Sequence, residues 1–202
     1  MSAGLTMSQC FGALALSAAL VAGCSGQTPP PQRPTSAGSD DERVRVAVLD
    51  MIARRVGTAR LVLSGMTWVP GDPVTGVIAE RARDQSGAPG DMLAAFRARA
   101  ASEVALPSPN GTRAEIVLVP PAELAPRDGE DADADWQRFH EVHAPATGWV
   151  RITEAGFKQD RSSAMVAAEY RCGTHCGWGV LYMLSRVANG WLIADEVILW
   201  VQ

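Results

Sequence analysis

Lysine is almost absent from this 202-residue chain: of 18 basic residues only Lys158 is a lysine, and the rest are arginine. There is no basic surplus either. Asp and Glu number 22, which gives a formal charge of −4 at neutral pH and no electrostatic footprint for neutralising phosphates, so a nucleic-acid partner is not expected. Long apolar runs are missing as well. Beyond residue 23 no stretch approaches the roughly 18 to 20 apolar residues that span a bilayer, so no transmembrane helix is expected there. GxSxG, P-loop and dinucleotide fingerprints are absent, which removes the usual routes to a nucleophilic hydrolase or a nucleotide enzyme and leaves no cofactor to expect. What remains is an ordinary globular balance, 47% hydrophobic and 20% charged, with no internal repeat, and the length suits one domain.

Phe11 to Ala22 form an apolar stretch too short to span and of the right length for the h-region of a secretory signal. It ends in Val21-Ala22-Gly23-Cys24, which resembles the lipobox of bacterial lipoproteins. The resemblance implies a signal peptide over residues 1–23, cleavage before Cys24 and acylation of that cysteine. Met1 to Cys10 departs from the pattern, since it lacks the basic residues usual in a signal n-region. Ser25, not Asp, follows Cys24, so the expected location is the outer membrane, facing the periplasm, if the cell is Gram-negative. Residues 24–41 hold four prolines, several Ser and Gly and no large apolar side chain, and they read as a tether. As a coil such a segment reaches roughly 20 to 25 Å.

The folded part is expected over residues 42–202. Ser39 and Glu42 have capping-box spacing, and Val44, Val48, Met51, Ile52 and Val56 follow at helical intervals up to Gly57. Ala59 to Ser64 and Arg113 to Val119 are strand candidates. Val69 to Gly90 is dense in Gly, Pro and Asp and reads as a loop, either a functional flap or partly disordered. Asp91 to Val104 carries Leu93, Phe96, Ala100 and Val104 along one helix face. A further helix starts within the acidic run Asp128 to Asp135 and places Trp136, Phe139 and His143 on neighbouring turns.

From there the pattern turns to strands. Gly148–Thr153, Ser163–Arg171, Trp178–Val187 and Trp191–Val201 are spaced like a four-stranded antiparallel meander, with Asn189-Gly190 suited to a type I′ turn. In the second run Ala164, Val166, Ala168 and Tyr170 alternate with a mixed set, Met165, Ala167 and Glu169, so helices should cover the apolar face. Helices first and a meander last predict an α+β domain, similar to a cystatin-like or nuclear-transport-factor-two-like arrangement.

The residues available for chemistry are few. Cys10 lies in the signal and Cys24 would be lipidated, which leaves Cys172 and Cys176 on the two sides of a turn. A disulfide between them is the expected use in an oxidising compartment. The alternative is zinc, with Cys172, His175 and Cys176 joined by His140 and His143, whose i, i+3 spacing puts both imidazoles on one helix face. His140-Glu141-Val142-His143 is one residue short of the HExxH spacing, and CxxxC is not the CxxC of redox enzymes. Asp131, Asp133 and Asp135 match the first ligands of a calcium loop, but Trp136 and Val142 stand where Gly and Glu are required. Five of the six tryptophans fall in the final third, where they serve either the core or a contact surface for a peptide, glycan or protein.

Trp136-x-x-Phe139, Gly148, Gly156-Phe157, Cys172-Gly-x-x-Cys176-Gly-x-Gly and Asn189-Gly190-Trp191 together resemble a set of small exported bacterial proteins. The likeness covers about the last third of the chain and implies an exported domain with a Cys-Gly turn, without catalytic residues to carry over. The reading is therefore a lipid-anchored cell-envelope protein, held to the membrane at Cys24, whose domain binds an unidentified protein or glycan or supports an envelope structure, without catalysis. An envelope enzyme with a zinc or thiol site around Cys172, His175 and Cys176 is the alternative.

Overall fold

A computed structural model describes residues 39–124 and 131–202. The expected signal peptide, Cys24 and the tether up to residue 38 lie outside the described residues. The architecture is α+β, with four α-helices and a seven-stranded mixed sheet among the described residues. No helix there is long and apolar enough to cross a membrane.

Helix α1 (Asp40–Val56) starts where the capping spacing places it: the Ser39 hydroxyl accepts from the Glu42 N–H at 3.2 Å. Gly57, at φ 69°, closes the last turn in the left-handed conformation that glycine adopts without strain. The helix thus begins two residues before the domain boundary read from composition. Strand β1 (Arg60–Ser64) follows, then α2 (Asp72–Ser86) and α3 (Gly90–Arg99).

Helix α2 corrects the loop reading of residues 69–90. Glycine and proline mark its ends, with Gly71 before it and Gly87 as a left-handed cap, while Ile78, Ala79 and Ala82 at helical spacing are buried. The apolar face is made of small residues, and Gly76, off that face, adds to the loop-like composition. Helix α3 is shorter than expected. It caps at Ala100, and Val104 is exposed rather than on its buried face.

Strand β2 (Glu115–Val119), helix α4 (Ala132–His143), β3 (Trp149–Ile152), the two-residue β4 (Gly156–Phe157), β5 (Ser163–Gly173), β6 (Cys176–Val187) and β7 (Gly190–Val201) complete the chain. The sheet runs β2-β1-β3-β5-β6-β7, with β4 also pairing β5. It is larger than a four-stranded meander, because β1 pairs parallel to both β2 and β3 before the antiparallel strands begin. The β6–β7 loop is Ala188-Asn189, and neither residue has positive φ; the unusual angle falls on Gly190, at 148°, so the turn is not type I′.

Helices cover both faces, not one. Val44, Val48 and Ile52 of α1 pack on Val166, Ala168, Tyr182 and Leu184 across the first face. On the second, α2 and α3 bury Met165, Ala167 and Leu181, and α4 packs Trp136 and Phe139 on Val62 and Trp149. The mixed set on β5 is thus buried as well, which explains why strand β5 is built from small side chains.

Asp40 ties the start of α1 to the far ends of β5 and β6. Its carboxylate accepts from Arg161 Nε at 2.9 Å and Arg186 Nη1 at 3.1 Å. Burial pushes this carboxyl up, but the Arg161 hydrogen bond and the Arg186 and Arg161 charges outweigh it, so the net shift is downward. A folded-state pKa below the unfolded one means stability that is complete above about 3.9 and is lost as pH falls through the folded value. Asp40→Asn is expected to cost about 1 kcal/mol near neutral pH and progressively less as the pH falls below about 3.9, read from urea midpoints along a pH series.

Candidate functional site

Between the cluster under α2 and α3 and the cluster under α4, the second face of the sheet carries charge in place of apolar side chains. Glu169 of β5 is only 1% exposed and Arg171 is 8% exposed. Arg151 Nη2 donates to Glu169 Oε2 at 2.5 Å, and Arg171 Nε donates to Glu169 Oε1 at 2.8 Å. One carboxylate therefore sits between two guanidinium groups on adjacent strands, since Arg151 and Glu169 are paired in the β3–β5 register. Arg171 also donates through Nη1 to the Gln202 side chain.

Aromatic rings frame this triad. The Arg171 guanidinium carbon lies 4.0 Å from the Trp200 ring centroid, and that of Arg151 lies 5.2 Å from Trp149 and 5.6 Å from Trp68. Trp200 can lie on the sheet only because β6 has glycine beneath it. A Cβ on Gly179 would collide with Trp200 Nε1, and a Cβ on Gly177 would come within 2.6 Å of the Tyr170 carbonyl oxygen and 2.9 Å of Arg171 Cδ.

Above this floor a cleft of about 470 Å³ opens between α2 and the end of β7. Trp68, Val74, Val77, Ile78 and Leu199 make its apolar walls, and Glu169, Arg171 and Trp200 lie at its base. Arg81 of α2 also lines it and donates from Nη1 to the carbonyls of Ile198 (3.0 Å) and Leu199 (2.7 Å). Strand β7 is an edge of the sheet, so these two bonds cover carbonyls that would otherwise invite another strand. Mostly apolar walls with a few fixed polar groups are the ordinary make-up of a small-molecule site, and the volume falls within the usual range of roughly 300 to 1,000 Å³.

Cys172 and Cys176 are disulfide-bonded, with their Cα atoms 5.1 Å apart, across the turn that joins β5 to β6. Cys172 and Cys176 follow and precede Arg171 and Gly177, which face each other in the β5–β6 pairing, and Cys172 packs against the cluster on the first face of the sheet. The loop the bridge closes holds five residues, for which chain entropy gives about 2 kcal/mol. Cys172→Ser with Cys176→Ser is expected to lower the unfolding free energy by about that amount without unfolding the domain, as a urea titration would show.

The residues of the zinc alternative are not brought together among the described residues. Both sulfurs are joined to each other, His175 is exposed at the turn, and His140 and His143 lie along α4 against Trp136 and Phe139. Among the described residues no group of three or more His, Cys, Asp or Glu is placed to hold a metal. The acidic residues near α4 serve its first turn, and Asp133 accepts from the Thr174 hydroxyl at 3.0 Å. The tryptophans divide: Trp136, Trp149 and Trp191 are buried, while Trp68, Trp178 and Trp200 are partly exposed.

Sequence reasoning missed the Arg151, Glu169, Arg171 and Trp200 group. Two signals were present: an acidic and a basic residue two apart on a strand otherwise made of small apolar residues, and glycines two apart at Gly177 and Gly179, which mark a close approach. No family model matches the chain, and neither the curated proteins nor the solved structures compared with it give a match.

Proposed function

We propose that the chain is an exported, lipid-anchored cell-envelope protein whose α+β domain is a non-catalytic binding module, with the cleft between α2 and β7 as its ligand site. The lipobox-like Val21-Ala22-Gly23-Cys24 and the proline-rich segment after it support the anchor. The antiparallel strands β3, β5, β6 and β7 with α1 laid across them support the cystatin-like or nuclear-transport-factor-two-like reading of the fold. The observation that carries the binding reading is the cleft itself, an apolar space of about 470 Å³ over a buried charged floor. Its apolar lining favours a ligand with an apolar body over the hydroxyl-rich surface of a glycan.

The test uses the full chain in phosphatidylcholine nanodiscs, with empty discs as the blank, titrated with 1-octanol as a neutral apolar probe. Saturable binding is expected, together with its loss in Val77→Arg, where a long charged side chain enters the mouth of the cleft from a half-exposed helix position. Heat no greater than that of the empty discs would overturn the reading. For the anchor, Cys24→Ala is expected to abolish incorporation of labelled palmitate and release the chain from the membrane fraction.

A further inference from the structure

We infer that the occupant of the cleft is a single-chain amphiphile with one negative charge, a fatty carboxylate. This rests on the binding reading above and adds the chemistry of the ligand. The walls set the apolar part. Val74, Val77 and Leu199 offer aliphatic surface without hydrogen-bonding groups, which suits an acyl chain better than a polar body.

The base and rim set the head group. Two guanidinium groups, Arg81 and Arg171, and one carboxylate, Glu169, line the cleft, and the carboxylate is also shared with Arg151 behind it. Among the side chains that line the cleft the surplus is one positive charge. Arg171 uses Nε and Nη1 for Glu169 and Gln202, and Arg81 uses Nη1 for the β7 carbonyls, so Nη2 of each makes no hydrogen bond among the described residues. Guanidinium donors of this kind, set against apolar walls, form their strongest bonds with anionic oxygens. A carboxylate matches the small surplus with one charge, whereas a phosphate monoester would bring up to two. A volume in the lower half of the range for small-molecule sites suits one chain rather than two.

The experiment compares octanoate, octyl phosphate, 1-octanol and octylammonium as probes of the full chain in phosphatidylcholine nanodiscs, with empty discs subtracted. Octanoate is expected to bind about tenfold tighter than 1-octanol, and octylammonium more weakly than either. Arg81→Gln should bring octanoate and octanol to equal affinity. Because Arg81 also covers the β7 edge, raised salt serves as a second measurement on the wild type, expected to weaken octanoate while leaving octanol within twofold. Equal affinities in the wild type, or a preference for the cation or the phosphate, would overturn the fatty-carboxylate inference and leave the cleft reading standing. No binding of any probe would overturn both.

Discussion

Glu169→Gln is expected to lower the unfolding free energy by about 3 to 5 kcal/mol, a large share of the stability of a domain this size. The substitution keeps shape and removes one charge. What it leaves is the larger effect: Arg151 and Arg171, both bonded to this carboxylate, lose their counter-ion at a position 1% exposed. Replacing all three together, with Arg151→Met, Glu169→Leu and Arg171→Met, should be far less damaging than Glu169→Gln alone, because no charge is then stranded. The pair of urea midpoints is the check. A single variant within 1 kcal/mol of the wild type would mean that water reaches the triad freely and the floor of the cleft is not sealed.

Gly156→Ala is expected to cost about 3 kcal/mol, for a steric reason and not a conformational one. Strand β4 is two residues long and lies against α3 so closely that a Cβ on Gly156 would come within 2.5 Å of Phe96 Cα and 2.6 Å of its backbone nitrogen. Those are backbone atoms of a packed helix, and Phe96 itself is fully buried, so neither side can yield without moving α3 off the sheet. Gly76→Ala supplies the contrast. That glycine lies inside α2 with open space where the methyl would go, and the change should stabilise the protein by about 0.5 to 1 kcal/mol. Thermal unfolding of the two variants side by side separates the local effect from any general sensitivity to added methyl groups.

Much of the fold was legible because strong periodic signals coincided with good punctuation. Helix α1 has its cap, its spacing and its closing glycine in one run, and β5 to β7 are long and are separated by short turns. Helix α2 was illegible for the opposite reason. Its buried face rests on Ile78, Ala79 and Ala82, and alanine and glycine give little hydrophobic contrast against the prolines and glycines around them. The parallel placement of β1 beside β3 could not be read locally, since their pairing spans more than eighty residues. The disulfide was readable from two cysteines flanking a turn. The cleft was not, because its members come from α2, β5 and β7 and share no spacing. Glu169 announced itself only as an acid in a run of small apolar residues, a pattern that equally describes one edge of a solvated strand.

The binding of Asp40 to Arg161 and Arg186 fixes more than the first turn of α1. It places the point where the chain enters the domain at the Ser163 end of β5, whereas the cleft is built around Glu169 and Arg171, six to eight residues further along that strand. At about 3.3 Å per residue the two are some 20 to 26 Å apart. The first turn of α1 and the charged floor of the cleft therefore lie toward opposite ends of β5, so a substitution at Asp40 and one at Glu169 perturb parts of the sheet that share no side-chain contact and their stability costs should add.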